Sequence, residues 1–141
     1  MVNALVGKLE GDGSVAFIYC HERGGMSELG QVLLENFKEP QDVDTLLQQG
    51  HCKFPGVVEP EKWQIMGQVY RGGETFKKVD NKRDFLEKAV EEVQAVYLYA
   101  NNTWRYANAL SNTPSFVAVR SKPGEDLNRN KSKRPFYTRV W

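Results

Sequence analysis

Residues 15 to 20 read Val-Ala-Phe-Ile-Tyr-Cys, with no charged or wholly polar side chain among them and a majority of β-branched or aromatic types. A strand with one wet face alternates apolar and polar residues, so a run that is apolar throughout predicts a strand covered on both faces, central in its sheet rather than at an edge. Residues 2–9 alternate loosely, and Glu10-Gly11-Asp12-Gly13 supplies turn chemistry between the two stretches. Together they predict a β-hairpin.

Beyond Gly24-Gly25 the period changes. Met26, Leu29, Leu33, Leu34 and Phe37 recur at helical spacing with Gly30 on the same stripe, which predicts one helix whose buried face admits a close neighbour at Gly30. Pro40 suits the first turn of a second helix carrying Val43, Leu46 and Leu47, and Gly50 stands where a left-handed C-cap belongs. Residues 63–70 alternate as a strand that turns at Arg71-Gly72-Gly73, with 75–79 as the extension of its partner. Asn81 is placed to cap a third helix, with Asp84 three residues on and a buried face of Phe85, Leu86, Ala89, Val90 and Val93. Residues 95–100 predict a strand, Asn101-Asn102-Thr103 a turn, 104–109 an antiparallel partner and 115–119 a last strand. The expected class is α+β: a mostly antiparallel β-sheet with about three helices packed on one side.

A chain of 141 residues buries roughly 68% of its unfolded surface as one domain and needs no disulfide staples. The longest apolar runs, 15–20 and 95–100, fall far short of the roughly 20 residues of a membrane span. Met-Val-Asn-Ala lacks the basic and apolar regions of a signal peptide. Two cysteines make no disulfide framework, so free thiols in a reducing cytoplasm are expected, with no membrane association. Charge divides the chain: residues 119–141 carry a net +5 and the remainder −4. This predicts a single α+β domain over 1–119 and a basic, aromatic C-terminal tail over 120–141.

The chain's two cysteines and two histidines occur as the dipeptides Cys20-His21 and His51-Cys52. A Cys2His2 zinc site is arithmetically available, but strand neighbours point to opposite faces and the usual spacer between paired ligands is missing. The simpler reading is two buried thiols beside two partly exposed imidazoles, with no metal. A Cys20 nucleophile would need His51 rather than His21, and nothing in the spacing predicts that meeting. Glu22, Glu28 and Glu35 could serve acid–base work, although Glu28 and Glu35, seven apart on a helix, read more simply as a solvated face. Gly24-Gly25 and Gly72-Gly73 lack the frame of a nucleotide loop. The first pair opens a helix whose amides could hold an anion beside His21 and Arg23. Cys20 and His21 are thus the candidate small-ligand residues. In the tail, Arg129, Lys131, Lys133 and Arg134 lead into Phe136, Tyr137 and Trp141. That mixture fits stacking on single-stranded nucleic acid and equally fits anchoring on a protein surface.

The sequence resembles a family of small phage and prophage proteins of unassigned function. The likeness rests on Ile18-Tyr19-Cys20-His21, Gly30 and Leu33-Leu34-Glu35-Asn36-Phe37, which match without a gap a pattern running roughly I-Y-C-H-W-D-G-Y-P-E-G-V-G and then L-L-E-H-Y. Leu46-Leu47-Gln48-Gln49-Gly50 is similar to the family's L-I-x-L-G, and Tyr97-Leu98-Tyr99 with Trp104 to its late strand pair. The likeness spans about residues 7–106 and excludes the tail. Where the family has Trp-Asp-Gly-Tyr-Pro this chain has Glu22-Arg23-Gly24-Gly25-Met26, so a base replaces the acidic neighbour of the histidine. His51-Cys52 stands where the family tends to have Asp-Leu, which implies that Cys52 closes the helix cap as an apolar contact.

The resemblance implies a phage setting, and small cofactor-free proteins of that setting more often bind and block than catalyse. The expectation is a host-takeover or counter-defence protein, not an enzyme, with no catalytic residues and no cofactor. It would dock on a host protein complex of transcription or defence through Arg23, Gly24 and Gly25 and through Arg134, Phe136, Tyr137, Arg139 and Trp141. The alternatives are a small-ligand or nucleotide binder or enzyme built on Cys20 and His21, and a single-stranded nucleic-acid binder acting through residues 120–141.

Overall fold

The structure, a computed structural model, describes residues 2–55, 62–65, 68–71 and 73–120. The hairpin forms as expected: β1 (Ala4–Leu9) pairs antiparallel with β2 (Val15–Cys20), Ala4 opposite Cys20 and Leu9 opposite Val15. Its turn is closed by Glu10 N–H to the Ser14 carbonyl (2.8 Å) and by the Asp12 carboxylate, which accepts from the Ser14 amide and hydroxyl. β6 (Ala95–Ala100) lies parallel to β1 on its other side and pairs antiparallel with β7 (Thr103–Asn108) through Asn101 and Asn102. Both asparagines have positive φ, 53° and 62°, as a two-residue hairpin loop requires. With β5 (Lys77–Val79) beside β2 and β8 (Val117–Ala118) beside β7, the sheet order is β5-β2-β1-β6-β7-β8. β2 is interior and every residue of it is buried, as its composition predicts.

The α+β class holds, with one parallel pair in a mostly antiparallel sheet, but the helices do not share one side. Alternate side chains of the central strands feed two cores. Ala4, Val6, Ile18, Cys20, Tyr97 and Tyr99 pack with Leu29, Val32, Leu33, Val43, Leu46 and Leu47, from α1 (Gln31–Asn36), α2 (Pro40–Gln49) and the turn ahead of α1. Leu5, Phe17, Tyr19, Val96 and Leu98 pack instead with Phe85, Ala89 and Val93 from the region of α3 (Lys82–Glu92). A strand apolar on both faces has to be covered twice, and each large side chain so buried contributes about 1.5–3 kcal/mol. Gly7 makes the second layer fit: a Cβ there would lie 2.7 Å from Phe85 Cζ and 2.8 Å from Val15 Cγ1, so the Phe85 ring occupies the space a side chain would take.

The first helix opens as a single π turn, Met26–Gly30, before α1 begins. Its signature bond runs from Gly30 N–H to the Gly25 carbonyl at 3.3 Å. Burial is continuous from Leu29 to Leu33, wider than the predicted stripe, while Met26, Leu34 and Phe37 are only partly buried against it. Gly30 does meet a close neighbour, since its Cβ would lie 3.4 Å from Tyr97 Cε1. The far end of α1 is held by the sheet: Trp104 Nε1–H donates to the Phe37 carbonyl (2.8 Å) and the Tyr99 hydroxyl to the Lys38 carbonyl (2.6 Å). These bonds satisfy carbonyls a helix end leaves free. In α2, Pro40 takes the first turn and Val43, Leu46 and Leu47 are buried as predicted.

Three local expectations need correction. Residues 63–70 are not one strand but belong to a separate two-stranded sheet, β3 (Lys62–Ile65) against β4 (Gln68–Arg71). β5 pairs with β2 rather than with that segment, bonding backbone groups of Val15–Phe17 that would otherwise stand at a sheet edge. In α3, Asn81 caps as expected, its side chain accepting from Asp84 N–H at 2.8 Å. The buried stripe there is Phe85, Ala89 and Glu92, however, and Val90 stands 47% exposed. Among the described residues no helix is long and apolar enough to cross a membrane. The tail from residue 121, with Arg134, Phe136, Tyr137, Arg139 and Trp141, lies outside the described residues.

Candidate functional site: the cysteine–histidine junction and the Arg23 rim

α2 ends at Gln49, and Gly50 reverses the chain with φ 79° and ψ −169°. The positive φ is as predicted, but the extended ψ sends the chain straight back along β2 instead of closing a left-handed cap. A Cβ at residue 50 would lie 1.7 Å from the Glu74 carbonyl oxygen, so only glycine fits. Residues 51–53 then extend the sheet at the end of β2 that β5 leaves uncovered. Cys52 N–H donates to the Tyr19 carbonyl (2.9 Å), His21 N–H to the Cys52 carbonyl (3.2 Å) and Glu22 N–H to the Lys53 carbonyl (3.1 Å). On the outer side His51 N–H donates to the Glu74 carbonyl and Gly73 N–H to the His51 carbonyl, both at 2.8 Å.

This strip brings the two dipeptides together, a meeting no spacing foretold. Cys20 and Cys52 face each other across a parallel bridge with their sulfurs 3.5 Å apart. Cys20 is fully buried, and the neighbouring Cys52 thiol together with burial pushes its thiol well above the ordinary range. His51 turns the other way, as strand alternation requires. Its Nδ1 accepts the Tyr19 amide at 3.1 Å and its ring packs edge-on to the Tyr19 ring, centroids 5.0 Å apart. The expectation of two partly exposed imidazoles is therefore corrected: His21 is half-buried, but His51 is fully buried. Burial lowers the His51 pKa to about 4, the nearby Glu74 opposing and Lys77 adding to the shift, so its neutral ring is a hydrogen-bond acceptor at neutral pH. Cys20 and His51 lie on opposite faces of the sheet and do not form a nucleophile–base pair. Among the described residues no three His, Cys, Asp or Glu side chains gather as a metal site would need.

Next to this strip lies the rim. Arg23 has positive φ, 53°, its guanidinium stacks over the Phe54 ring at 4.3 Å, and its Nε lies 3.8 Å from Glu22 Oε2. Lys53 Nζ reaches Glu22 Oε1 at 3.5 Å. Gly24 is buried, its amide donating to the Val2 carbonyl (3.0 Å) and its carbonyl accepting from the Tyr97 hydroxyl (2.7 Å). Burial drives the Tyr97 phenol far upward, which keeps it a donor. Gly25 is half-buried with open space where a side chain would stand. Val2, Glu22, Arg23 and Glu28 line a cleft of about 280 Å³. The amides of Glu28, Leu29 and Gly30 are already engaged by the carbonyls of Gly25 and Arg23, which removes them from the anion cradle that the Gly24-Gly25 opening suggests.

Two features escaped the sequence reading. Glu92, on the inner face of α3, accepts a very short hydrogen bond from the Tyr19 hydroxyl while Lys88 Nζ lies 3.5 Å from its other oxygen. Gln31 is buried and donates to the carbonyls of Met26 (3.1 Å) and Arg120 (2.7 Å), tying the start of α1 to the last described residue. A polar residue inside an apolar period was the available signal in both cases. On the outer face of α3 a groove of about 430 Å³ is lined by Arg83, Leu86, Glu87, Val90, Glu91 and Pro114. Leu110 and Val117, either side of Pro114 in the chain, are 70% and 51% exposed.

No protein-family model matches the chain, and comparison with curated proteins and with solved structures returns no match.

Proposed function

We propose that the protein is an interaction module that binds and inhibits a host protein complex in the bacterial cytoplasm, as a phage protein of host takeover or counter-defence would. The phage setting rests on the resemblance of its Ile18–His21 and Leu33–Phe37 motifs. The observation that carries the binding role is the apolar ground left open beside α3: Val90 in a groove with charged sides, and Leu110 and Val117 standing in solvent. Exposed apolar side chains framed by charge are where protein partners anchor. Supporting this reading, Cys20, Cys52 and His51 are interior and hydrogen-bonded into the sheet extension, which gives the Cys–His dipeptides a structural reason to exist. Arg23 and the tail residues Arg134, Phe136, Tyr137, Arg139 and Trp141 complete the proposed contact set.

The test starts from capture of a partner from bacterial lysate on the full chain. The purified partner is then titrated against the wild type, Val90→Glu and a chain ending at residue 119. Affinity about tenfold weaker for either variant is expected, the loss typical of removing one anchor. Unchanged affinity in both would overturn the proposed contact surface. Retention of the chain on single-stranded DNA that falls steeply with salt, in the absence of any protein partner, would favour the nucleic-acid reading instead.

A further inference from the structure

The two thiols do more than fill space. Cys20 is the last residue of β2, and Cys52 lies directly opposite it on the returning strip, flanked by the bonds Cys52 N–H to Tyr19 and His21 N–H to Cys52. Neighbouring strands lie about 4.8 Å apart, which is inside the Cα separation of about 4.4–6.8 Å that a disulfide spans. The sulfurs are 3.5 Å apart. Bringing them to the roughly 2.05 Å of a disulfide needs an approach of about 1.5 Å between the sulfurs. Exposure is unequal: Cys52 is 8% exposed and Cys20 0%.

From this juxtaposition we propose that Cys20 and Cys52 form a redox couple that peroxide closes to a disulfide, locking the loop of residues 21–51 onto the sheet. That loop carries the Arg23 rim, the π turn, α1 and α2. Cys52, the less deeply buried residue of the two, attacks hydrogen peroxide as the thiolate. The oxygen–oxygen bond breaks, Cys52 becomes a sulfenic acid and hydroxide leaves. The Cys20 sulfur then attacks the Cys52 sulfur, the S–O bond breaks as the S–S bond forms, and the departing oxygen leaves as water with the Cys20 proton. Two thiols thereby lose two electrons and two protons while one peroxide becomes two waters. The high thiol pKa of Cys20 suits the resolving partner rather than the first to react. The couple is independent of which partner the protein binds.

The experiment treats the purified full chain with stoichiometric hydrogen peroxide and follows intact mass, non-reducing peptide maps and Tm. The expected result is loss of two hydrogens, a linked peptide pair containing Cys20 and Cys52, and a rise in Tm on the order of 10 °C, all reversed by dithiothreitol. Accumulation of Cys52 sulfinic acid with Cys20 still a thiol would overturn the proposal. So would survival of both thiols under a peroxide exposure that oxidises them in urea. In Cys20→Ser the reaction is expected to stop at the Cys52 sulfenic acid, which dimedone traps; the absence of an adduct refutes the order of steps.

Discussion

Replacing Gly50 by alanine is expected to destabilise the protein by about 3–5 kcal/mol, because the returning strip depends on that residue. Its φ of 79° and ψ of −169° fall in a region essentially reserved for glycine, and forcing another residue there costs about 1–3 kcal/mol. The added methyl would also sit 1.7 Å from the Glu74 carbonyl oxygen and 2.6 Å from its carbon. Backbone cannot rotate away as a side chain can. Relief therefore means parting residues 73–74 from residue 51, with loss of the two 2.8 Å bonds between them, each contributing about 0.5–1.5 kcal/mol net. Gly13→Ala is the matched control: φ there is 91°, but nothing lies within 4 Å of a Cβ, so only the conformational cost applies. Urea unfolding followed by circular dichroism, with an m-value of about 2 kcal/mol/M, converts the expected losses into midpoint shifts of about 2 M and about 1 M. Midpoints within about 0.5 M of each other would show that the close approach at Gly50 carries no energy, and the account of the strip would fail.

Two further outcomes follow from the face that α3 covers. Tyr19→Phe removes the hydroxyl that donates to buried Glu92 and is expected to cost about 1–3 kcal/mol, a fall in Tm of about 5 °C by calorimetry; an unchanged Tm would mean Lys88 alone satisfies the carboxylate. His51 has a folded-state pKa of about 4 against an ordinary 6.5, so the unfolded chain takes up its proton first and folding stability is full above about pH 6.5. As pH falls toward 4 that stability is lost, with the Tyr19 amide losing its acceptor when Nδ1 is protonated. His51→Gln should flatten the stability difference across this window, measured as urea midpoints from pH 7 to pH 4, and an identical acid slope in wild type and variant would refute the assignment.

Much of the architecture was legible because it follows from local chemistry. The hairpin of β1 and β2, the Asn101-Asn102 reversal, the Pro40 start of α2 and the Asn81 cap of α3 each depend on residues within a few positions of one another. Such signals survive without knowledge of the rest of the chain. The centrality of β2 was legible too, since a strand with no charged or wholly polar side chain has nowhere else to go. That same run demanded cover on two faces, and the expectation of helices on one side underused it.

What sequence could not fix is whatever depends on distant segments meeting. Whether Val90 or Glu92 faces inward is decided by the angle at which α3 lies on the sheet, which Gly7 and the Phe85 ring set together. The π turn at Met26–Gly30 is bonded to the carbonyls of Arg23 and Gly25, and Gly24 between them is held by Val2 and Tyr97. The encounter of Cys20 with Cys52, thirty-two residues apart, exists only because Gly50 reverses the chain along the one stretch of β2 that β5 leaves open. Periodicity determined most of the interior, with Val90, Glu92 and Gln31 as the exceptions. Tertiary packing decided which interior residues touch, because contact is a property of two surfaces and each surface is written in a different part of the chain.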